Sequence, residues 1–322
     1  MKRVLVVEYS QSGDVAKIAD AFVRPLEHPD VEVRRERIQP IVPYPYPWRS
    51  VQRFFSVFPE CFVGSVNGIR SLSFHPEDHF DLVILAYQVW FLSPSIPIQA
   101  FFRSAHACVL KGTPVITLCV SRNMWHSASE TMKRLLKAAG AIHLDNVIVT
   151  HQGPPFSTLV SVPRALLYGK RDRLWGIFPP AELSQQELER AGHLGAAVAC
   201  RLDDLRAPHR PLLVGLGAVK IIRRYVVPEL LGWYIYRAAA GLVVRAGQSG
   251  ERARRLAISL FIATLLMMIF FAMPFFIVLV FVLSPLLHGR ISRYMQHLAE
   301  PSGEARASDK SHHNTLHPAP TA

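Results

Sequence analysis

A short polar loop near the start of the chain has the residue types of an anion-binding turn. The loop consists of Ser10, Gln11, Ser12, Gly13, Asp14 and Val15. It follows a strand-like apolar run and precedes an amphipathic run, so a helix should begin within it. The N-terminus of such a helix presents backbone N–H groups without intrahelical acceptors and the positive end of the helix dipole. The loop therefore predicts a phosphate site, and a plain capped strand-to-helix turn is the alternative.

Two further loops follow apolar runs and carry aromatic and polar groups. The loop after residues 81–87 contributes Tyr87, Gln88, Val89, Trp90 and Phe91. The loop after residues 113–120 contributes Arg122, Asn123, Met124 and Trp125. In an open parallel sheet, ligands bind outside the carboxyl ends of the strands, where the strand order reverses. We therefore expect all three loops to surround a phosphorylated ligand with a planar ring.

The elements that must position these loops alternate between strand and helix. The predicted strands cover residues 4–9, 31–38, 81–87, 113–120 and 146–151. The predicted helices cover residues 14–24, 127–140 and 184–202. The second strand alternates apolar and charged residues, which is typical of an edge strand, whereas the third and fourth are uniformly apolar, as in strands buried on both faces. The pattern predicts an α/β domain over residues 1–205, with a doubly wound five-stranded parallel sheet.

Two long connections interrupt this alternation. Residues 40–80 are rich in proline and aromatic side chains, and residues 153–180 follow the fifth predicted strand. Connections of this length in a compact domain are often functional covers. We expect aromatic insertions that cover the site, and simple peripheral packing is the alternative.

The second half of the chain has the composition of a membrane anchor. Hydrophobic residues make up 50 % of the chain, and residues 256–287 contain no charged side chain. About 20 apolar residues suffice to span a bilayer, so this stretch predicts a C-terminal transmembrane segment. A helix of all its residues would be about 48 Å long against a hydrocarbon core of about 30 Å. We expect a single span kinked at Pro274 rather than a re-entrant hairpin, followed by a disordered tail over residues 288–322.

The positive charge of the chain is concentrated just before this segment. The formal net charge is +12, and residues 206–255 hold nine Arg and one Lys against two Glu, which accounts for +8 of it. Basic residues alternate there with apolar runs, and Trp233, Tyr234 and Tyr236 favour the headgroup layer. The region predicts basic amphipathic helices that lie on anionic membrane lipids from about residue 212 onward, rather than a nucleic-acid partner.

The start of the chain and the spacing of its cysteines indicate the cellular compartment of the α/β domain. The sequence MKRVLVVEYS enters a strand directly, without the apolar region of a signal peptide. The cysteines, Cys61, Cys108, Cys119 and Cys200, lie far apart and have neither disulfide-framework nor metal-site spacing. We expect a reduced domain on the cytoplasmic side of the inner membrane, without a metal.

Residues 1–205 resemble the flavodoxin-like flavoprotein family, and the first loop carries the motif on which this resemblance rests. The family motif is Ser or Thr, any residue, Thr, Gly, any residue, Thr. Ser10, Ser12 and Gly13 match it, whereas Val15 replaces the last hydroxyl. The resemblance implies a flavodoxin-like fold and an FMN cofactor, with the phosphate in the first loop and the isoalloxazine between the other two. FMN is favoured over FAD because the chain has no GxGxxG fingerprint.

A narrower resemblance rests on the segments SQSG, QVWFLSPSIP and RNMW. Together they are similar to bacterial membrane-associated proteins known as dialkylresorcinol condensing enzymes. That resemblance implies a place in dialkylresorcinol or arylpolyene pigment biosynthesis, with a ketosynthase and an acyl carrier protein of the same pathway as partners.

Condensation itself requires an activated cysteine nucleophile. Cys119 lies in an apolar strand and Cys108 near a helix end, so both are predicted to be packing residues. We therefore expect a flavin-dependent oxidation, or aromatisation, of a cyclised lipophilic intermediate. No catalytic acid or base is assigned, although Arg122, His126 and His151 are the polar residues expected near the ring.

Other functions remain open at this point. A membrane-tethered electron carrier or a quinone reductase would use the same cofactor, but the basic chain differs from the acidic surface typical of flavodoxin-type carriers. A non-catalytic membrane scaffold that lacks flavin is the other alternative, because of the hydroxyl missing at Val15.

Overall fold

The computed structural model describes residues 1–64, 68–151, 153, 155–206, 210–272 and 288–303. Within this part of the chain the parallel strands are β1 (Lys2–Glu8), β2 (Val31–Arg37), β3 (Leu82–Trp90), β5 (Pro114–Ser121) and β6 (Ile142–Thr150). The short β4 (Ser93–Pro94) pairs antiparallel with the end of β3. The parallel strands follow the order β2-β1-β3-β5-β6, which is the flavodoxin-type order. The predicted fold class is confirmed.

α-Helices pack on both faces of this sheet and, farther out, on one another. They are α1 (Asp14–Val23), α2 (Val51–Phe55), α3 (Phe58–Val63), α4 (Ile96–Phe101), α5 (His126–Ala138), α6 (Pro155–Tyr168), α7 (Gln185–Ala199), α8 (Arg223–Arg245) and α9 (Arg252–Met267). A π-helical turn, Met268–Ala272, continues α9, and residues 288–299 are also helical. Every residue of β5 is buried, whereas in β2, an edge strand, Glu36 is buried and Glu32, Arg35 and Arg37 are exposed.

The last parallel strand begins earlier than the sequence pattern predicts. β6 starts at Ile142 rather than at residue 146. The sequence pattern does not indicate this earlier start, because polar side chains interrupt the apolar run. These side chains are buried but bonded: the Thr117 hydroxyl donates to Asn146 Oδ1 at 2.9 Å, and the Asp145 carboxylate accepts the N–H groups of Leu212 and Leu213. Buried polar groups with partners are compatible with a core strand.

The segment after the first domain differs from its prediction. The prediction of an amphipathic helix from residue 212 onward is wrong for residues 212–222, since α8 begins only at Arg223. Leu212, Leu213 and Ala218 pack in the core beside β6, and Ile148 N–H donates to the Ala218 carbonyl at 2.9 Å. Glycines 215 and 217, at φ 78° and 71°, cannot continue a right-handed helix in these conformations.

Helices α8 and α9 pack on the aromatic insertion of residues 40–80. Phe58 of α3 stacks on Phe261 of α9 with 4.6 Å between ring centroids, and Tyr236 of α8 contacts both rings. Tyr236 therefore faces the domain rather than a headgroup layer, whereas Tyr234 is 59 % exposed. Residues Arg252–Phe271 form a helix that is long and apolar enough to cross a membrane, with mean hydropathy 1.9 and 22 % of its most apolar window buried.

The rest of the apolar stretch, residues 273–287 with Pro274, lies outside the described residues, so the predicted kink does too. The predicted disordered tail is wrong for residues 288–303. These residues include a helix and contact the α/β domain, where the buried Ser302 hydroxyl donates to Asp145. Residues 304–322 lie outside the description.

Close contact between α1 and α7 gives a stability prediction. A Cβ atom at Gly195 would clash with the backbone of Phe22, whereas a Cβ atom at Gly192, one turn earlier, would lie 3.5 Å from the nearest atom. We expect Gly195→Ala to destabilise the protein by about 1–3 kcal/mol through overpacking. Gly192→Ala, the matched control, should be neutral or stabilising by up to about 1 kcal/mol. Thermal unfolding in detergent measures both, and equal stability of the two variants would contradict the packing.

Candidate functional site

The loops that follow β1, β3 and β5 lie at the carboxyl edge of the sheet, as predicted. In the first loop Gly13 has φ 91°, and a Cβ atom there would meet nothing within 4 Å. The Ser10 hydroxyl accepts the Ala16 N–H at 3.2 Å, so it caps α1. Val15 is fully buried in the core and offers nothing to a ligand. The turn is therefore an open cradle at a helix N-terminus.

A charged network lies at this cradle. The Asp14 carboxylate, at the first position of α1, accepts a hydrogen bond from Arg171 Nη2 at 2.5 Å and lies 3.3 Å from His151 Nε2. The Ser12 hydroxyl donates to the same carboxylate at 3.1 Å. Burial works against ionisation of Asp14, but the bond with His151 and the charge of Arg171 outweigh it and lower its pKa. The network brings a guanidinium to the predicted phosphate loop.

Polar atoms without partners mark the same place. Arg171 and Tyr46 lie close enough to interact, and Arg171 Nε and the Tyr46 hydroxyl, both buried, form no well-aligned hydrogen bond within the described part of the chain. Burial opposes the charge of Arg171, yet Asp14 and Tyr46 raise its pKa, so the guanidinium is charged. Unpaired donors next to an open helix N-terminus are the chemistry of an anion site. The first loop together with Arg171 therefore fits a phosphate group.

Four of the five residues predicted for the second loop, Tyr87–Trp90, belong instead to strand β3, which continues to Trp90 because its end pairs with β4. The end of this strand, with Phe91 after it, lies among aromatic side chains. Trp90 is 8 % exposed, and its ring contacts those of Tyr44 at 5.0 Å, Tyr9 at 5.9 Å and Trp48 at 6.2 Å between centroids. Tyr87 is fully buried in β3, and Val89 pairs with Pro94 in the short hairpin. Gln88 Nε2 and the Ser121 hydroxyl, at the ends of β3 and β5, are buried without partners within the described chain. These rings pack on one another, and the aromatic surroundings together with the unpaired polar atoms are the chemistry that suits a planar ring with a polar edge.

The third loop is held by α6 and α8. Asn123 Nδ2 donates to the Thr158 hydroxyl at 2.8 Å, and Arg122 Nη1 lies 3.5 Å from the Thr158 carbonyl. Burial lowers the pKa of Arg122. Met124 is half-buried, and Trp125 is 1 % exposed with its ring against that of His126. The assignment of these residues to a ligand stays a prediction.

The two insertions meet over this edge of the sheet. The backbone N–H groups of Trp48 and Arg49 donate to the carbonyls of Leu166 and Leu167, each at 2.9 Å, and Gln11 donates to the Pro45 carbonyl at 2.8 Å. The insertions thereby contribute several groups that sequence analysis did not place at the site: Tyr44, Tyr46, Trp48 and Arg171. The run YPYPW was the one available signal for the aromatic members. Arg171 lies in a basic run without a motif.

Of the two histidines near the loops, one is buried inside the protein and the other faces the cradle. His126 is buried with its Nδ1 atom 2.6 Å from Glu229 of α8, which is a contact inside the protein. His151 faces the cradle and also places Nδ1 3.0 Å from the Ser121 carbonyl. Burial raises the pKa of Cys119 to about 12, so this thiol is no nucleophile. Within the described chain, no cluster of three or more His, Cys, Asp or Glu could hold a metal.

No protein-family model and no curated protein matches the chain. Among solved structures, a flavodoxin from the domain Archaea is similar, with 11 % identity over 63 % of this chain and 99 % of that chain at TM-score 0.35. A flavodoxin, WrbA-like protein from Agrobacterium tumefaciens has 14 % identity over 64 % and 100 % of the two chains at TM-score 0.34. Azoreductase from Bacillus anthracis has 11 % identity over 61 % and 99 % at TM-score 0.34. By its own strand order, this chain is a protein of flavodoxin-type fold.

Proposed function

We propose that the protein is an FMN-dependent oxidoreductase that is held on the cytoplasmic face of the inner membrane and acts on a lipophilic substrate. The single observation that carries this proposal is an unbroken chain of aromatic contacts from the second loop of the site to the apolar helix α9. The chain of contacts begins at Trp90, on the same edge of the sheet as the polar cradle that suits a phosphate, and it ends at Phe261 of a helix that suits lipid.

The phosphate end supports FMN. The open turn at Gly13, the N-terminus of α1 and the charged Arg171 would hold the phosphate, while the aromatic rings around Trp90 would flank the isoalloxazine. The guanidinium N–H groups of Arg171 would replace the hydroxyl donor that the family motif has at the position of Val15. This weakens the alternative of a scaffold that has lost its flavin.

The aromatic end supports a lipophilic substrate. Trp90 contacts Trp48, Trp48 contacts Phe54 at 5.7 Å, and Phe54 contacts Phe91 at 4.7 Å between ring centroids. Phe91 then contacts Phe58, which stacks on Phe261 of α9. These packed rings join the candidate site to the apolar helix α9, so the site would lie close to the membrane that holds α9. A site in that position favours an enzyme with a lipophilic substrate over an electron carrier for soluble partners.

The chemistry proposed is oxidation of a cyclised precursor to an aromatic resorcinol. FMN, when bound, would accept the hydride that such a substrate loses, while the accompanying proton leaves to solvent. A ketosynthase and an acyl carrier protein would supply the alkyl chain, as the narrower resemblance implies. A quinone of similar apolarity is the other substrate compatible with this site.

An absorbance spectrum of the detergent-purified, full-length protein tests the proposal. We expect a flavin band, and mass analysis of the cofactor released by heat should identify FMN. A colourless protein that also fails to bind added FMN would overturn the assignment. With flavin present, oxidation of a cyclised dione or reduction of a quinone under anaerobic conditions distinguishes the two substrates.

Tryptophan fluorescence gives a further prediction. Binding of FMN should quench the emission of Trp90, because the ring would lie against it. Trp90→Phe should remove much of the quenching. Trp175→Phe is the matched control, since Trp175 is 78 % exposed and its ring contacts only Phe178 among the described aromatic residues. Unchanged quenching in the Trp90 variant would exclude the second loop from the ring site.

A further inference from the structure

We propose that the two flanks of the apolar stretch, α9 and residues 288–303, lie on the same face of the bilayer, so that the protein is held on one side of the membrane. The inference rests on the membrane attachment in the proposed function, and it replaces the single kinked span that the sequence favours. Contacts on both sides of the segment carry it.

The upstream end is fixed to the α/β domain. Arg254, in the first turn of α9, is 5 % exposed and pairs with Glu60 of α3 through Nη2. The same guanidinium donates to the Ser56 carbonyl at 3.3 Å, and Gln52 Nε2 donates to the Arg255 carbonyl at 3.0 Å. A buried charge with these partners holds the start of the apolar helix on the domain surface.

The downstream end is fixed to the same domain. The Ser302 hydroxyl donates to Asp145 Oδ1 at 2.6 Å and accepts the Asn146 N–H at 2.7 Å, and Ser302 is 3 % exposed. His297 Nε2 lies 3.0 Å from Glu130 Oε2, and Lys133 donates to the His297 carbonyl at 3.1 Å. Leu298 is fully buried. These contacts join residues 288–303 to β6 and α5.

A single span cannot keep both sets of contacts. If the segment crossed the bilayer once, residues 288–303 would lie about 30 Å away across the hydrocarbon core. The Asn146 N–H would then lose its buried partner, and Leu298 would lose its packing. If both flanks lie on one face, both sets of contacts remain, and the exposed Arg252, Arg255, Arg290 and Arg293 would all lie on the cytoplasmic side. That placement agrees with the positive-inside rule.

The surface between the two ends fits a lipid bilayer as its occupant. Leu256, Leu260, Met267, Phe270 and Phe271 are each more than 60 % exposed on α9 and the π-helical turn. They continue into residues 273–287, which contain no polar side chain except Ser284. Those 15 residues could extend over at most about 50 Å, so the chain is long enough to return. The basic rim would contact anionic headgroups.

Thiol labelling on both sides of the segment tests the inference. In a Cys108→Ser, Cys200→Ser background, which removes the two exposed cysteines, Ser249→Cys lies before α9 and Ser308→Cys lies after the return. We expect both single-cysteine variants to react with a membrane-impermeant maleimide in inside-out vesicles and to be protected in spheroplasts of the expression host. Labelling of the Ser308 variant in spheroplasts, with the Ser249 variant protected, would establish a single span and overturn the proposal.

A second measurement tests the packing of the returning segment. Ser302→Cys should be protected in both membrane orientations and react only after denaturation, because its position is buried. Rapid labelling of the native Ser302 variant from either side would contradict the contacts with Asp145. If the chain is found in the soluble fraction as a dimer, a second copy rather than lipid covers α9, and the inference fails. None of these readouts depends on flavin, so failure of the cofactor assignment would be seen separately.

Discussion

Replacement of Arg171 by Glu is expected to reduce the affinity for FMN by about two to three orders of magnitude, consistent with the loss of a partly buried charge contact. The variant removes the guanidinium that would face the phosphate and places a second carboxylate beside Asp14. Asp14 alone would repel a dianionic phosphate, so the cradle depends on Arg171 for a favourable local charge. Flavin content after purification and titration of the apoprotein with FMN measure the effect.

The matched control is Arg173→Glu, which makes the same charge change two residues away on an exposed side chain. It should keep affinity within a few-fold, since exposed charges are screened. Arg171→Lys should be intermediate because it keeps the charge but loses the planar fork. If Arg171→Glu and Arg173→Glu retain the same affinity in folded protein, Arg171 does not contact the phosphate.

The sequence predicts those parts of the fold that depend on local patterns. Uniformly apolar runs define β3 and β5, and a strand-loop-helix pattern with Gly13 defines the cradle. The start of β6 was missed because its buried Asp145 and Asn146 depend on partners distant in sequence. A local apolar pattern carries no information about such partners.

The same limit applies to the candidate site. The three predicted loops do meet at one edge of the sheet, because parallel strands deliver their carboxyl ends there. Arg171, however, reaches Asp14 across 157 positions of the chain. Trp48 and Tyr44 approach Trp90 only because residues 40–80 fold back over the edge. Nothing in the spacing of these residues could have indicated the contacts.

Residues 288–303 differ from their prediction for a related reason. Hydropathy identifies the apolar stretch well, but it does not show where the flanking residues bind. The polar composition of residues 288–303 suggests a solvated tail, whereas Ser302 and Leu298 are buried against β6 and α5. A few specific contacts outweigh average composition at this end of the chain.

Glu229→Ala is expected to destabilise the protein by about 1–3 kcal/mol, because it removes the buried acceptor of a backbone N–H group. Glu229 is fully buried on α8 and reaches the N-terminus of α5. Its Oε1 atom accepts the Ser127 N–H at 2.7 Å, and its Oε2 atom lies 2.6 Å from His126 Nδ1. A carboxylate at this helix end is also favoured by the helix dipole. The variant would leave the Ser127 N–H buried without a partner.

The consequence should reach the third loop of the site, since Trp125 and His126 form the start of α5 and Trp125 packs against the His126 ring. Glu229→Gln keeps an oxygen acceptor for the Ser127 N–H, so it should cost less than Glu229→Ala. Glu182→Ala, at an exposed position, is the control for loss of a carboxylate and should change stability by less than about 0.5 kcal/mol. Chemical unfolding in detergent, followed by tryptophan emission, ranks the variants. If the Glu229 and Glu182 variants unfold alike, α8 is not fastened to α5 by this carboxylate, and the third loop is held by α6 alone.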